Sequence, residues 1–421
     1  MTITRRRLLE LAIVGSGLLA GAGPGRSAVP RLVVVGGGPG GAVAARTASR
    51  LGGDRVHVTL VEANPTYVSC FFSNWVVAGL RTMADITHRP AQAGEHGIDV
   101  VTARVEAIDR EGKALRLSDG SRVPYDRLIL SPGVDFRFDT VAGYSVEAAE
   151  RMPHAWKAGP QTELLIRRLA ALDQGASVVM VVPPNPYRCP PGPYERAALM
   201  AHVLKTSGRG DARITILDAK ESFPKQALFQ EGWERHYPGM IQWLPPSVHG
   251  GLRAVEPAGT AVETEFDRFD GDLVSVIPPQ KAGALALDAG LGDADGWCPV
   301  EAASMRAKAD PSIQVIGDAA RAGEMPKSAF AAASQGRVAA VAALADLLGG
   351  PRPEPRYFNT CWSLIAPGDA VKVGALYGIA EGAIKSVQGF VSQPGESAEV
   401  RRVSAEEAEA WHAAILADMI G

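Results

Sequence analysis

Residues 31–41 read RLVVVGGGPGG, and residues 42–52 continue AVAARTASRLG. A β-branched apolar run ends in a glycine turn, and the turn opens an alanine-rich helix. Residues 57–64, HVTLVEAN, supply a second strand that ends at Glu62. The three pieces make a βαβ unit of dinucleotide-binding size. Gly36, Gly38 and Gly41 fit G-x-G-x-x-G, and Glu62 follows Gly41 by twenty-one residues. Gly36 is expected to make the tight turn, Gly38 to let the backbone approach a pyrophosphate, and Gly41 to let helix and strand pack closely. The helix N-terminus faces the phosphate charge, and Glu62 accepts from an adenosine ribose.

Outward from this unit, two further strands suit the same domain. Residues 125–133, YDRLILSPG, run into a small-residue turn, and residues 313–320, IQVIGDAA, end a strand at Gly317 and Asp318. In two-dinucleotide flavoproteins an acid at the second position binds the ribityl chain of FAD. The competing role for Asp318 is a helix N-cap. Between them lies a second βαβ pattern: ASVVMVV (176–182), YERAALMAHVLKTSG (194–208) and RITILDAK (213–220). Its turn, residues 183–191, reads PPNPYRCPP where a nucleotide site wants glycines. Proline has no N–H to offer a phosphate, so this domain is expected to keep the fold and lose NAD(P)H binding. Asp218 still stands where a ribose-binding acid would stand, which leaves residual binding open.

The chain has 421 residues, enough for two or three domains. It carries 43 Lys and Arg against 46 Asp and Glu, so no basic excess exists to grip nucleic acid. The expected class is α/β: two Rossmann-like dinucleotide-binding domains with a smaller α+β C-terminal domain. The boundaries read as a leader at 1–29, a discontinuous FAD domain at 30–137 and 257–348, a degenerate NAD-type domain at 138–256, and an interface domain at 349–421. The leader opens Thr4-Arg5-Arg6-Arg7-Leu8-Leu9 and continues apolar to about Ala22. Paired arginines, a weak apolar run and small residues predict twin-arginine export to the periplasm. Near the other end, Ser404 and Glu407 read as a capping box that starts the last helix, with Trp411, Ile415 and Met419 on one face. Residues 404–421 hold no Lys or Arg, so this reads as a packing helix and no stable membrane insertion is expected.

Four cysteines are too few for a disulfide scaffold. Cys189 sits in the proline-rich turn, and Cys361 lies in FNTCWSLIAPGD (358–369) after a linker-like GGPRPEPR. Spacing alone leaves them as a staple, two separate buried thiols, or a redox pair. Cys70, in TYVSCFFSNW, follows Glu62 by eight residues and can lie beside the cofactor. Residue type and neighbours alone slightly favour the other role, a buried apolar residue next to Phe71 and Phe72. Cys298, in GWCPV, is expected to be buried and inert.

The chain resembles the flavoprotein subunit of flavocytochrome c sulfide dehydrogenase. The resemblance runs through VVVGGGPGG, YVSCFFSN, CPPGPYER (189–196), VIPPQKAG (276–283), GWCPV, VIGDA, MPKSAFAAASQG (325–336) and NTCWS. It implies FAD held covalently through Cys70, a redox-active disulfide of Cys189 and Cys361 near the flavin, and electron transfer to a partner c-type cytochrome subunit. The chain has no CxxCH of its own, so haem c belongs on that partner, and no metal is assigned. The implied reaction is sulfide oxidation: hydrosulfide attacks the disulfide, the flavin is reduced, and sulfur or polysulfide leaves. Glu195, at a helix start, is the candidate proton acceptor, or else a first-turn acid placed by the helix dipole. Lys327 reads as a cation near the flavin or as an exposed lysine, and Gln280 and Lys281 are expected near the flavin by the resemblance only. The competing functions are a sulfide:quinone oxidoreductase and a flavoprotein accessory of a periplasmic sulfur-oxidising complex. An NAD(P)H-dependent disulfide reductase would need glycines after Val182.

Overall fold

The computed structural model describes residues 29–89 and 97–420. The export signal read at the N-terminus lies outside them. Strand β1 (Arg31–Val35) leads through Gly36–Gly38 into helix α1 (Pro39–Gly52), and β2 (His57–Glu62) returns parallel to β1. Strand β3 (Ile98–Thr102) pairs with β2, and β4 (Arg127–Leu130) with β1, both in parallel. β1 and β4 carry near-continuous apolar runs, as strands covered on both faces require, while β3 at the sheet edge is partly exposed. Leu32, Val34 and Leu128 are fully buried. Burial of each such side chain contributes about 1.5–3 kcal/mol.

A second parallel sheet follows. It holds β5 (Ser177–Val182), helix α2 (Gly192–Thr206), β6 (Arg213–Asp218), helix α3 (Gln226–His236), β7 (Ile241–Leu244) and β8 (Leu273–Val276). The strand order is β7-β6-β5-β8. Its core is separate from the first and includes Met180, Leu204, Ile216 and Phe229. The chain then comes back to the first sheet with β9 (Arg306–Ala307) and β10 (Asp310–Val315), completing the order β9-β10-β4-β1-β2-β3. Each large sheet is accompanied by a three-stranded antiparallel meander, at 105–124 and at 252–270. This is the expected architecture of two Rossmann-like domains, but the boundary read at 257 is too early: the meander at 252–270 and β8, which pairs with β5, keep the second domain going to Val276.

Helix α4 (Ala329–Leu348) packs along α1. A Cβ at Gly336 would stand 2.3 Å from the Gly40 carbonyl oxygen, so the small residues of both helices set their close approach. Past an exposed linker, β11 (Tyr357–Ala366), β12 (Asp369–Ala380) and β13 (Ala383–Val391) form an antiparallel sheet, closed by helix α5 (Ala398–Ile420). Trp411, Ile415 and Met419 do face the protein: Trp411 stacks on both Phe330 and Trp362 in a cluster of three rings, and the other two are buried. The helix start differs from the reading. Residue 404 lies inside α5, its hydroxyl buried without a partner, and Ser397 Oγ accepts from Val400 N instead. Glu407 turns away from the backbone to accept from Trp362 Nε1 (3.1 Å) and Lys372 Nζ (2.6 Å). No helix among the described residues is long and apolar enough to cross a membrane.

Candidate functional site

The glycine turn takes the shape its residues dictate. Gly36 has φ +96°, and a Cβ there would meet the Ser131 carbonyl oxygen at 2.4 Å. A Cβ at Gly41 would stand 1.9 Å from the Gly36 carbonyl oxygen. Gly38 differs: its nearest neighbour would be the Tyr67 ring at 3.7 Å, so the backbone is open on the side where a phosphate would approach. Glu62 caps the turn. Its Oε2 accepts from Gly37 N (2.6 Å) and its Oε1 from Asn64 N (2.9 Å). Gly36, Gly38 and Glu62 line a cavity of about 710 Å³ together with Cys70, Arg188 and Asp318. Asp318 Oδ2 accepts from Arg188 Nε at 2.8 Å, while its Oδ1 is buried with no partner. An open turn, a helix N-terminus and an orphaned buried acceptor in one cavity fit a dinucleotide with a polyol chain, as FAD has. Burial opposes the Arg188 charge, but Cys70, Asp318 and Tyr67 outweigh it and raise its pKa.

Two other residues assigned to the cofactor stand one layer back. Gln280 Oε1 accepts from Arg188 N (2.9 Å), so Gln280 acts on the cavity through Arg188. Lys327 is not an exposed lysine. Its ammonium lies 3.8 Å from the Trp297 ring centre and donates to the Asp318 and Ala320 carbonyls (2.7 and 2.9 Å). Burial brings its pKa down to about 8. Cys298 is fully buried, and burial pushes its thiol up to about 11.

Cys189 sits at the end of the turn between β5 and α2 with φ +56°, a left-handed backbone at a residue with a Cβ. Its N–H donates to the Lys327 carbonyl at 2.8 Å, which ties the turn to the segment before α4. Cys361 lies on β11, where Asn359 Nδ2 approaches its Sγ at 3.4 Å. All four cysteines are unbonded. The fold nevertheless brings Cys189 and Cys361 into one cluster: burial first, then the charges of Cys361, Glu195 and Cys70, push the Cys189 thiol up. Glu195, in the first turn of α2, belongs to it. Its Oε2 accepts from Asn74 Nδ2 (2.9 Å) and its Oε1 from Leu364 N (2.8 Å). Burial raises its pKa, and these hydrogen bonds with Lys225 oppose the rise. It is therefore more than a dipole-stabilising acid on a solvated helix end.

Sequence reasoning missed four residues here: Arg188, Asn74, Arg196 and Lys225. Arg196 is 2% exposed, lies 4.7 Å from the Trp156 ring centre, and donates from Nε to Asn74 Oδ1 at 3.0 Å. Asn74 thus carries a chain of hydrogen bonds from Arg196 to Glu195. Asn74 and Arg196 stand inside motifs already singled out, so they were findable; Lys225 carries no local signal at all.

In the second domain the acid at the ribose position is already engaged. Asp218 is fully buried and accepts from Tyr194 Oη (2.5 Å), Trp243 Nε1 (2.9 Å) and Lys220 Nζ (2.5 Å). The residual ribose binding left open by the sequence has no free acceptor at Asp218.

Three family models match the chain. One, described as the sulfide dehydrogenase [flavocytochrome c] flavoprotein chain, central, covers residues 162–278. A second, the flavin-binding part of flavocytochrome c sulphide dehydrogenase, covers 353–420, and a pyridine nucleotide-disulphide oxidoreductase model covers 30–166. The mitochondrial sulfide:quinone oxidoreductase of Mus musculus is 22% identical over 361 residues, spanning 78% of this chain and 74% of its own. That of Dictyostelium discoideum is 21% identical, spanning 72% and 68%. Among solved structures, the sulfide:quinone oxidoreductase of Aquifex aeolicus superposes with a TM-score of 0.74 at 16% identity over 92% of both chains. Putidaredoxin reductase in its covalent complex with putidaredoxin gives 0.64 at 21% identity, over 90% of this chain and 94% of that one. These likenesses carry the fold.

Proposed function

Because the chain belongs to the flavoprotein family of flavocytochrome c sulfide dehydrogenase, we propose that it oxidises sulfide with FAD and hands the electrons to a c-type cytochrome subunit in the periplasm. The observation that carries this reading is that Glu195, at the head of α2 just after the Cys189 turn, accepts from Leu364 N (2.8 Å) on β11, the strand of Cys361, while Cys70 lines the dinucleotide cavity. Gly36, Gly38 and Glu62 would hold the adenosine and pyrophosphate end of FAD and Asp318 its ribityl chain, and Cys70 would supply the thiol for a thioether link. Bound FAD supplies an acceptor that takes two electrons and releases them singly.

The residues of the chain do the rest. In the oxidised state Cys189 and Cys361 are joined. Hydrosulfide attacks one sulfur, a new S–S bond forms, and the old one breaks. One cysteine then carries a persulfide and the other leaves as a thiolate. Glu195, anchored at both oxygens, accepts the persulfide proton. A second hydrosulfide attacks the outer persulfide sulfur and leaves with it as the shortest polysulfide, freeing the second cysteine as a thiolate; the two thiolates rejoin as the disulfide on giving up two electrons to the acceptor that bound FAD would supply. Either Cys189→Ser or Cys361→Ser is expected to retain FAD and lose sulfide turnover; full activity in one of them sinks the relay.

The quinone-linked alternative draws on the sulfide:quinone oxidoreductases among the relatives. Side-by-side assays with a soluble quinone and with cytochrome c as acceptors separate the two readings.

A further inference from the structure

Lys225 precedes helix α3 and has φ +63°, a backbone conformation sterically disfavoured for a residue with a Cβ. From there its ammonium reaches β11. It donates to Ser363 Oγ (2.8 Å), the Cys361 carbonyl (3.2 Å) and the Val371 carbonyl (3.4 Å). All three acceptors are neutral. Residues 359, 361 and 363 alternate onto one face of β11. On that face the Asn359 amide approaches the Cys361 sulfur, and Ser363 holds the lysine. An amide donor thus approaches the Cys361 sulfur, and a cation grips the same strand at the Cys361 carbonyl and at Ser363, the next residue on that face.

The charges around the pair are unbalanced. Arg196 and Lys225 are cations, and Glu195 is the carboxylate that both face. With both cysteines protonated or joined, the cluster keeps one surplus positive charge; one thiolate neutralises it. Burial lowers the Lys225 pKa to about 8, against the opposing pull of Cys361, Glu195 and Cys189. The other groups facing the sulfurs are Tyr377 on β12 and Cys70 from the cavity side.

We propose that Lys225 is the counter-cation of the Cys189–Cys361 pair, positioned to hold one of its sulfurs as the thiolate. It is a positioning residue, acting through the sulfur it stabilises. The inference rests on the pair being the reacting sulfurs, but its test needs no sulfide, flavin chemistry or cytochrome.

The reduced full-length holoprotein is treated with iodoacetamide across a pH series, and alkylation of Cys189 and Cys361 is read separately by peptide mass spectrometry. In Lys225→Met the pH of half-maximal alkylation at one of these cysteines should rise by about one unit or more. Lys225→Arg should restore the wild-type midpoint, which a purely structural lysine would not require. If Lys225→Met does not fold, Lys225→Gln is read in the same way. Unchanged midpoints at both cysteines in a folded neutral variant overturn the proposal. A shifted midpoint in a protein that ignores sulfide leaves the counter-cation standing and removes the sulfide reading.

Discussion

At the scale of single residues, the account depends on a few side chains whose surroundings set their chemistry. Cys70 lines the cavity that holds Gly38 and Asp318. Cys70→Ala is therefore expected to release FAD into the supernatant on acid precipitation, while the parent keeps its yellow colour in the pellet. Glu195 is held above the ordinary carboxylate range by burial. It thus loses its charge at a higher pH than an exposed glutamate, and a base must be ionised to act. Sulfide turnover should fall as pH drops through that raised value, and Glu195→Gln should flatten this acid limb in a plot of kcat against pH. How legible these residues were follows from their signals. Gly36, Gly38, Gly41 and Glu62 stand at fixed spacing because one backbone geometry demands it. Arg188, Asn74 and Lys225 obey no such spacing. Each reaches its partner across the fold, as Lys225 does from before α3 to β11, and only tertiary structure makes that contact.

At the scale of elements, the β1–α1 turn was readable because its constraints are local. A Cβ at Gly41 would drive into the Gly36 carbonyl, with no flexible side chain to yield. Gly41→Ala should cost roughly 1–3 kcal/mol or more, seen as a lower Tm and weaker FAD retention, since the same atoms shape the phosphate turn. The proline-rich turn after β5 was also readable as a lost nucleotide loop, but what fills the site was not. Asp218 keeps the position of a ribose acid while its oxygens serve Tyr194, Trp243 and Lys220. The start of α5 was misread because Ser-x-x-Glu is a local pattern that a helix interior can also contain. There, Glu407 prefers Trp362 and Lys372 to the backbone.

At the scale of the whole molecule, two parallel sheets and a C-terminal antiparallel sheet converge on one cluster. The first supplies the dinucleotide cavity, the second supplies Cys189 and Glu195 at the head of α2, and β11 supplies Cys361. No single segment of sequence contains the site, which is why its composition was legible and its wiring was not. The distribution also gives the proline-rich turn of the second Rossmann-like domain a place in the site: it delivers a cysteine at the head of α2. The central claim is that sulfide reduces the flavin through this pair. The most direct test is an anaerobic sulfide titration of the purified holoprotein, following the visible flavin band and adding cytochrome c afterwards. The account predicts bleaching by sulfide and recovery of the band as cytochrome c is reduced, with NADH producing neither. A flavin band unmoved by excess sulfide would contradict it.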